Sequence, residues 1–206
     1  MFSNTDWNLI RSCPAPLWLV KPHPISDRPR IIAAVDPLHE RDKPAELDHR
    51  IVDAAVRLCS AVDGELHLVH AYEIAPALAV SGDSMAMPIA MPLRELAESL
   101  KKQHSDAVAA LADRHSVEPD RVHVLEGRTR QVLVRLTEQT NAEVVVLGAV
   151  SRSGLRRFFL GSTAEQVLDH LPCDMLIVKP ATALISARSE IGCGVLAALG
   201  GGEAVG

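Results

Sequence analysis

A glycine and a Gly-Ser-Thr triplet frame a basic loop in the carboxyl-terminal half of the chain. Residues 143–148 form a β-branched run that ends in Gly148, and an apolar-periodic helix pattern begins at Gly161, Ser162 and Thr163. Glycine lets the backbone approach an anion closely, and the first turn of a helix offers unpaired N–H groups at the positive end of its dipole. These residue types at this spacing predict a phosphate-binding site.

The loop between the two motifs contains the candidate phosphate ligands Ser151, Arg152, Arg156 and Arg157. Arginine binds phosphate through charge-assisted hydrogen bonds, although several arginines are equally typical of a solvated loop. Residues 162–165 also match a capping box, in which serine and glutamate side chains satisfy a helix start without a ligand. The pattern is therefore compatible with a nucleotide site and with a purely structural helix start.

The strands and helices that would position this loop alternate between residues 30 and 180. Apolar runs predict five strands, and apolar residues at helical spacing predict the four helices between them. Strict alternation requires right-handed crossovers, so we expect a Rossmann-like α/β fold, an open five-stranded parallel sheet with helices on both faces. The predicted strands are residues 31–35, 65–72, 121–125, 143–148 and 174–179.

Three of these strands end in residues that could meet a ligand. Open parallel sheets bind ligands at the carboxyl ends of their strands, where the strand order reverses. Asp36, Ala71 and Gly148 lie at such ends, so we expect them to share one crevice. Asp36 is equally suited to close a turn before Pro37.

Composition narrows the class of protein. The 206 residues are 48% hydrophobic but only 3% aromatic, which predicts an aliphatic core of the kind that buried parallel strands form. A net charge of −5 argues against a protein that is held on nucleic acid by phosphate charge. No apolar stretch reaches the length of a membrane span, and Asp6 stands where a secretory signal would carry basic charge. We expect a soluble cytoplasmic protein.

Histidines and cysteines form no evident metal or redox motif. His67 and His70 lie three apart on a predicted strand, so their side chains should point to opposite faces, and His39 and His49 lack an evident third ligand. The four cysteines, at positions 13, 59, 173 and 193, lack the spacing of a zinc site. No nucleophile–base set is evident, so we expect no enzymatic activity.

Residues 73–92 interrupt the alternation with prolines, a glycine and the three residues Met85, Met87 and Met91. Such a long connection beside the crevice is typical of a lid or a partner surface. Clustered methionines can also bind Cu(I), but no cysteine or histidine lies within the segment. We therefore favour an apolar flap with adaptable side chains.

An internal repeat accounts for the first residues of the chain. Residues 3–22 align without gaps on residues 161–180 at a constant offset of 158, and both segments end in Val-Lys-Pro. This repeat predicts that residues 1–22 are the final helix and strand of a preceding domain. The predicted organisation is this remnant, a linker at 23–29, one domain at 30–180, and a mostly disordered tail at 181–206.

The chain resembles the universal stress proteins over residues 30–180. Members of that family carry an aspartate at the end of the first strand and a Gly-x2-Gly-x9-Gly-Ser/Thr loop after the fourth. Asp36, Gly148, Gly161 and Ser162 match this pattern. The phrase from Gly161 to Asp174 is most similar to the second half of tandem E-type members, in which two such domains are fused.

The resemblance implies a site for ATP or a related adenine nucleotide, with or without Mg²⁺. Val35 and Asp36 would face the ribose and adenine, Ala71 would line the base pocket, and the Gly-Ser-Thr triplet would hold the phosphates. The implied ligand set is Val35, Asp36, Ala71, Leu147, Gly148, Ser151, Arg152, Gly161, Ser162 and Thr163.

One position departs from the family pattern, because Ser151 stands where the loop has its second glycine. A non-glycine residue at positive φ costs about 1–2 kcal/mol, which corresponds to about tenfold in affinity. We therefore expect weak or conditional ATP binding. The alternative is an interaction module of the same family that binds no nucleotide, acts through protein partners and retains the loop for helix capping.

The resemblance also implies pairing through the last strands of two domains. We expect a homodimer or an intramolecular pair of this kind. In the intramolecular form, residues 16–20 would lie antiparallel along residues 175–179 and cover an edge that is otherwise an aggregation hazard.

Overall fold

The computed structural model describes residues 8–10, 13, 15–38, 46–74, 93–151, 158–159, 167 and 170–180. Within these residues three long helices cover a six-stranded sheet. The helices are α1 (Glu46–Val62), α2 (Leu93–Arg114) and α3 (Thr129–Thr140). The strands are β1 (Leu17–Leu19), β2 (Arg30–Ala34), β3 (Glu65–Tyr72), β4 (Val122–Glu126), β5 (Val144–Gly148), β6 (Val150–Ser151), β7 (Phe158–Phe159) and β8 (Asp174–Val178).

The main sheet has the strand order β1-β8-β5-β2-β3-β4, and β6 pairs with β7 in a separate ribbon. All neighbours in the main sheet are parallel except β1 and β8, which are antiparallel. The predicted α/β fold is confirmed, and so is the antiparallel pairing of the first strand with the last. Trp18 lies opposite Leu176, and these two residues are equivalent in the internal repeat, whose two segments are offset by 158 residues. The pair is therefore centred on matching positions of the two segments.

A residue in the left-handed conformation follows directly after two of the helices. Asp63 has a φ of 51° after α1, and Asn141 has a φ of 50° after α3. Gly64 then starts the return to the sheet, where a Cβ atom would lie 2.8 Å from the Pro29 carbonyl oxygen. Only glycine avoids that contact, so α1 is followed at once by β3.

Four of the five predicted strands differ from the observed strands by one residue at one or both ends, and the difference at Arg121 has a local cause. Arg121 was expected to begin the third strand of the domain, but it closes the 3₁₀ turn Pro119–Arg121 instead. Proline suits the start of such a turn, and the Arg121 N–H donates to the Glu118 carbonyl at 3.0 Å. The strand β4 therefore begins at Val122.

The core consists of two aliphatic layers, one on each face of the sheet. Ile31, Ala33 and Leu68 pack toward α1 and α2, whereas Ile32 and Val69 pack toward α3 and the helical turn at residues 8–10. Alternate residues of each strand point to opposite faces, which explains why neighbouring apolar residues enter different layers. None of the described helices is long and apolar enough to cross a membrane.

Several predictions fall outside the described residues. These concern the methionine-rich part of residues 73–92, the capping box at residues 162–165, residues 161–163 themselves, and the tail at residues 181–206.

Candidate functional site

A cavity of about 190 Å³ opens at the carboxyl ends of β2, β3 and β5. From β2 the chain proceeds outward to β3 and β4, and it then returns to β5 on the other side of β2. The strand order thus reverses between β2 and β5, which is where open α/β sheets bind ligands. The described residues that line the cavity are Ala34, Val35, Asp36, Leu47, Asp48, Ile51, Val69, Ala71, Thr129, Leu133, Leu147, Gly148 and Val167.

Five of the sequence-predicted site residues meet at this cavity: Val35, Asp36, Ala71, Leu147 and Gly148. Ala71 belongs to β3, Leu147 and Gly148 belong to β5, and the other two residues directly follow β2. Val35 and Leu147 are each only 6% exposed. The walls are mainly aliphatic, and the carboxylates of Asp36 and Asp48 are the charged groups among the described lining. Such a site suits a flat apolar group that carries hydroxyls, because apolar walls bury the ring and carboxylates accept hydrogen bonds.

The predicted phosphate side of the site is only partly described. Ser151 lies in the short β6 strand, where it pairs with Phe158 of β7. Arg152 and the triplet Gly161, Ser162 and Thr163 lie outside the described residues. Their predicted roles stay predictions.

The backbone at Val35 and Asp36 is held by three hydrogen bonds. The Val35 N–H donates to the Val69 carbonyl at 3.0 Å, which extends the β2–β3 ladder by one residue. The Val35 carbonyl accepts from His70 Nδ1 at 3.0 Å, and the Asp36 N–H donates to Asp48 Oδ1 at 3.0 Å. The Asp36 side chain is 42% exposed, with Oδ1 3.7 Å from His70 Nδ1.

Two polar residues of this arrangement, His70 and Asp48, were missed as contributors by sequence reasoning. Asp48 is 4% exposed and follows the buried Leu47 in the first turn of α1. A carboxylate next to an apolar residue of the buried helix face was the signal that could have indicated its role. His70 was recognised only as unable to share a metal with His67. It is 1% exposed and contacts β2 and α2, partners that are 35 and 34 residues away in sequence.

Gly148 has a packing role that the sequence did not indicate. A Cβ atom there would lie 2.8 Å from Ile51 Cδ1 and 2.9 Å from Leu47 Cδ2. Both side chains belong to α1 and line the cavity. Glycine at this position therefore lets α1 pack directly on the end of β5, independently of any ligand.

Six histidines form three pairs across different elements. The pairs are His49 with His115 at 2.9 Å, His67 with His123 at 3.1 Å, and His70 with His104 at 2.7 Å. Burial lowers the pKa of His67, His115 and His123, which favours neutral rings that share a hydrogen bond. Within the described part of the chain, no group of three or more potential ligands could hold a metal ion.

Residues 28–179 match the model of the universal stress protein family, a span that contains β2 to β8 and the whole described cavity lining. The chain belongs to the universal stress protein family.

Curated members of the family match most of this universal stress protein. Universal stress protein E of Salmonella typhi is 37% identical over 186 residues, which cover 87% of this chain and 56% of the relative. The Escherichia coli K12 protein of the same name is 36% identical over the same shares. The chain thus spans little more than half the length of these relatives.

Solved structures agree with the fold. A putative universal stress protein from Pseudomonas aeruginosa UCBPP-PA14 superposes with a TM-score of 0.70 at 25% identity. The match covers 90% of this chain and 60% of that one.

Proposed function

We propose that this universal stress protein binds ATP or a related adenine nucleotide, weakly or conditionally, and serves the stress response in the cytoplasm without turning the nucleotide over. One observation carries the proposal: Val35, Asp36, Ala71, Leu147 and Gly148, chosen from the sequence, line a single cavity at the strand-order reversal.

The geometry supports a division of roles within the nucleotide. The aliphatic walls, to which Ala71 and Leu147 contribute, suit the faces of an adenine ring. The half-exposed Asp36 carboxylate suits the ribose hydroxyls, because a carboxylate accepts hydrogen bonds from paired donors. The phosphates would extend toward the Gly-Ser-Thr triplet, with Mg²⁺ as an optional counter-ion.

The test is the release of nucleotide from gently purified, then denatured protein, together with calorimetric titration of ATP with and without Mg²⁺. Asp36→Ala should weaken binding by about tenfold, since it removes charge-assisted hydrogen bonds to the ribose. Asp113→Ala is the matched control, because Asp113 is an exposed carboxylate on α2 and does not line the cavity. Equal affinities in the two variants would contradict the proposed ribose contact.

The Ser151→Gly variant tests the weakness of binding. If serine strains the phosphate loop, the glycine variant should bind ATP about tenfold more tightly than the natural chain. Binding that is present but unchanged would refute the strain explanation while leaving the site itself in place.

The second candidate function is an interaction module that binds no nucleotide and acts through protein partners. The packing of Gly148 against Leu47 and Ile51 favours it, because that glycine is explained without a ligand. No released nucleotide and no heat at millimolar ATP would select this candidate over the first.

A further inference from the structure

The peptide unit between Val35 and Asp36 forms hydrogen bonds with two buried side chains. Its carbonyl, on Val35, accepts a hydrogen bond from His70 of β3, and its N–H, on Asp36, donates to Asp48 of α1. His70 is 1% exposed and Asp48 is 4% exposed. Burying polar groups is costly unless they are paired, so two buried polar side chains on one peptide unit constrain its orientation strongly.

The Val35 carbonyl also determines the role of one nitrogen of the His70 ring. A carbonyl oxygen can only accept, so His70 Nδ1 carries a proton and donates it to Val35. In the neutral ring Nε2 is then an acceptor, and it lies 2.7 Å from His104 Nδ1. The two imidazoles therefore connect α2 to the residue that follows β2.

An aromatic stack holds the two rings in place. The ring of Tyr72 lies 4.7 Å from that of His104, and the His70 and His104 rings are 4.9 Å apart with an angle of 24° between their planes. Stacked rings leave little freedom for His70 to rotate away from Val35. The support for the Val35–Asp36 peptide thus comes from β3, α1 and α2 together.

We propose that His70 and Asp48 are positioning residues, which orient the Asp36 carboxylate for the hydroxyl groups of the ligand by holding the peptide unit before it. This inference rests on the proposed nucleotide binding. It assigns the specificity for a hydroxyl-bearing sugar to an arrangement that includes a buried histidine and a buried carboxylate in addition to Asp36.

Two substitutions of His70 separate positioning from packing. His70→Asn keeps a donor near the place of Nδ1, whereas His70→Gln keeps a polar group near the place of Nε2 and withdraws the donor from Val35. His70→Asn should bind ATP about fivefold more tightly than His70→Gln, which corresponds to about one hydrogen bond. His67→Asn and His67→Gln are the matched controls, because His67 is a buried histidine of the same strand that pairs with His123 instead.

Asp48 allows the complementary comparison. Asp48→Asn keeps an oxygen that can accept from the Asp36 N–H, whereas Asp48→Leu has a similar shape and no acceptor. The asparagine variant should bind ATP about fivefold more tightly than the leucine variant. Circular dichroism of both variants establishes that they are folded before affinities are compared.

A double-mutant cycle with Asp36→Ala provides the decisive measurement on the full chain, with ATP as the probe. If His70 acts through Asp36, His70→Gln should cost little further affinity once Asp36 is alanine. An equal loss in the presence and absence of the Asp36 carboxylate would overturn the positioning role. A natural chain that binds no ATP at millimolar concentration would overturn the proposed function and this inference together.

Discussion

The strands β1 and β8 carry the same Val-Lys-Pro ending, yet they occupy different environments. Val20 is 74% exposed, whereas its equivalent Val178 is 2% exposed. Trp18 is 41% exposed, and its equivalent Leu176 packs partly buried against the α1 layer. The strand β8 lies between β1 and β5, whereas β1 is the edge of the described sheet. The difference shows that a strand's sequence does not set its burial, because burial depends on the neighbours it finds.

The two lysines of these endings make reciprocal contacts across the strand pair. Lys21 Nζ donates to the Leu171 carbonyl, and Lys179 Nζ donates to the Ile10 carbonyl. Each lysine thus contacts the chain that leads into the other strand, where cationic groups stabilise carbonyls at helix ends. Their exposure differs, since Lys21 is partly exposed and Lys179 is fully buried. Burial lowers the pKa of Lys179 to about 8.

Asp174 makes the pairing asymmetric. Its carboxylate is almost fully buried and accepts hydrogen bonds from Trp18 Nε1 at 3.0 Å and from the Lys21 N–H at 2.8 Å, and Oδ1 also lies 2.9 Å from His23 Nε2. The equivalent residue of the first segment is Pro16, which cannot take this role. The amino-terminal segment is therefore anchored to β8 through the Asp174 carboxylate, which has no counterpart in that segment.

Deleting residues 1–22 should have the largest effect, because it removes β1 and leaves the edge of β8 unpaired. We expect self-association of the shortened chain, since an open strand edge is a template for pairing with another chain. Sedimentation velocity at several protein concentrations measures this. A shortened chain that remains monomeric and as stable as the parent would show that β1 does not protect the edge.

Asp174→Ala should lower the free energy of unfolding by about 3 kcal/mol, because several donors lose a charged acceptor at once. Chemical denaturation measures the loss, and amide hydrogen exchange should show reduced protection in β1 before β5 is affected. Asp120→Ala is the control, since Asp120 is an exposed carboxylate in the 3₁₀ turn. A loss as small as that of the control would mean that Asp174 does not anchor the segment.

Val178→Ala and Val20→Ala compare equivalent positions directly. The buried valine should cost about 2 kcal/mol of unfolding free energy, whereas the exposed one should change it by no more than about 0.5 kcal/mol. Urea denaturation of both variants gives the comparison. Similar losses of unfolding free energy in the two variants would indicate that Val20 is buried in solution by contacts beyond those of the described residues.

Lys179→Met and Lys21→Met should differ in the pH dependence of stability. The pKa of Lys179 is about 8 in the folded chain and 10.5 as its ordinary value, so the unfolded chain binds more protons between these limits. Lys179 should therefore contribute a rise of about 1 kcal/mol to the free energy of unfolding from pH 8 to pH 9. Lys179→Met should lose this rise and Lys21→Met should retain it. A rise that persists in Lys179→Met would assign it to another group.

Periodicity was sufficient to predict the main elements of the fold. The α/β class and the strand β3 at its observed limits follow from runs and spacing, whereas the antiparallel pairing of the first and last strands was implied by the family resemblance together with the repeat. The boundary at Arg121 was wrong, because a local turn at Pro119 competes with the strand pattern for the same residue. Local turn chemistry thus limits what an apolar run can indicate.

The candidate site was predictable only where it depends on strand ends. Asp36, Ala71 and Gly148 could be placed at one crevice because parallel strands bring their carboxyl ends to one edge, whereas Val35 and Leu147 were implied by the family resemblance. Asp48 and His70 could not, since their partners are backbone groups and rings that approach only when α1 and α2 pack on the sheet.

By itself the sequence determined which segments are strands and helices, which strand ends meet, and which two segments repeat each other, because these depend on local periodicity and chain order. Only the tertiary structure decided that Val178 is buried while Val20 is exposed, that Lys179 has a lowered pKa, and that the peptide before Asp36 is held by two buried side chains. Burial, pKa and hydrogen-bond partners depend on atoms that are distant in sequence, and packing alone brings those atoms together.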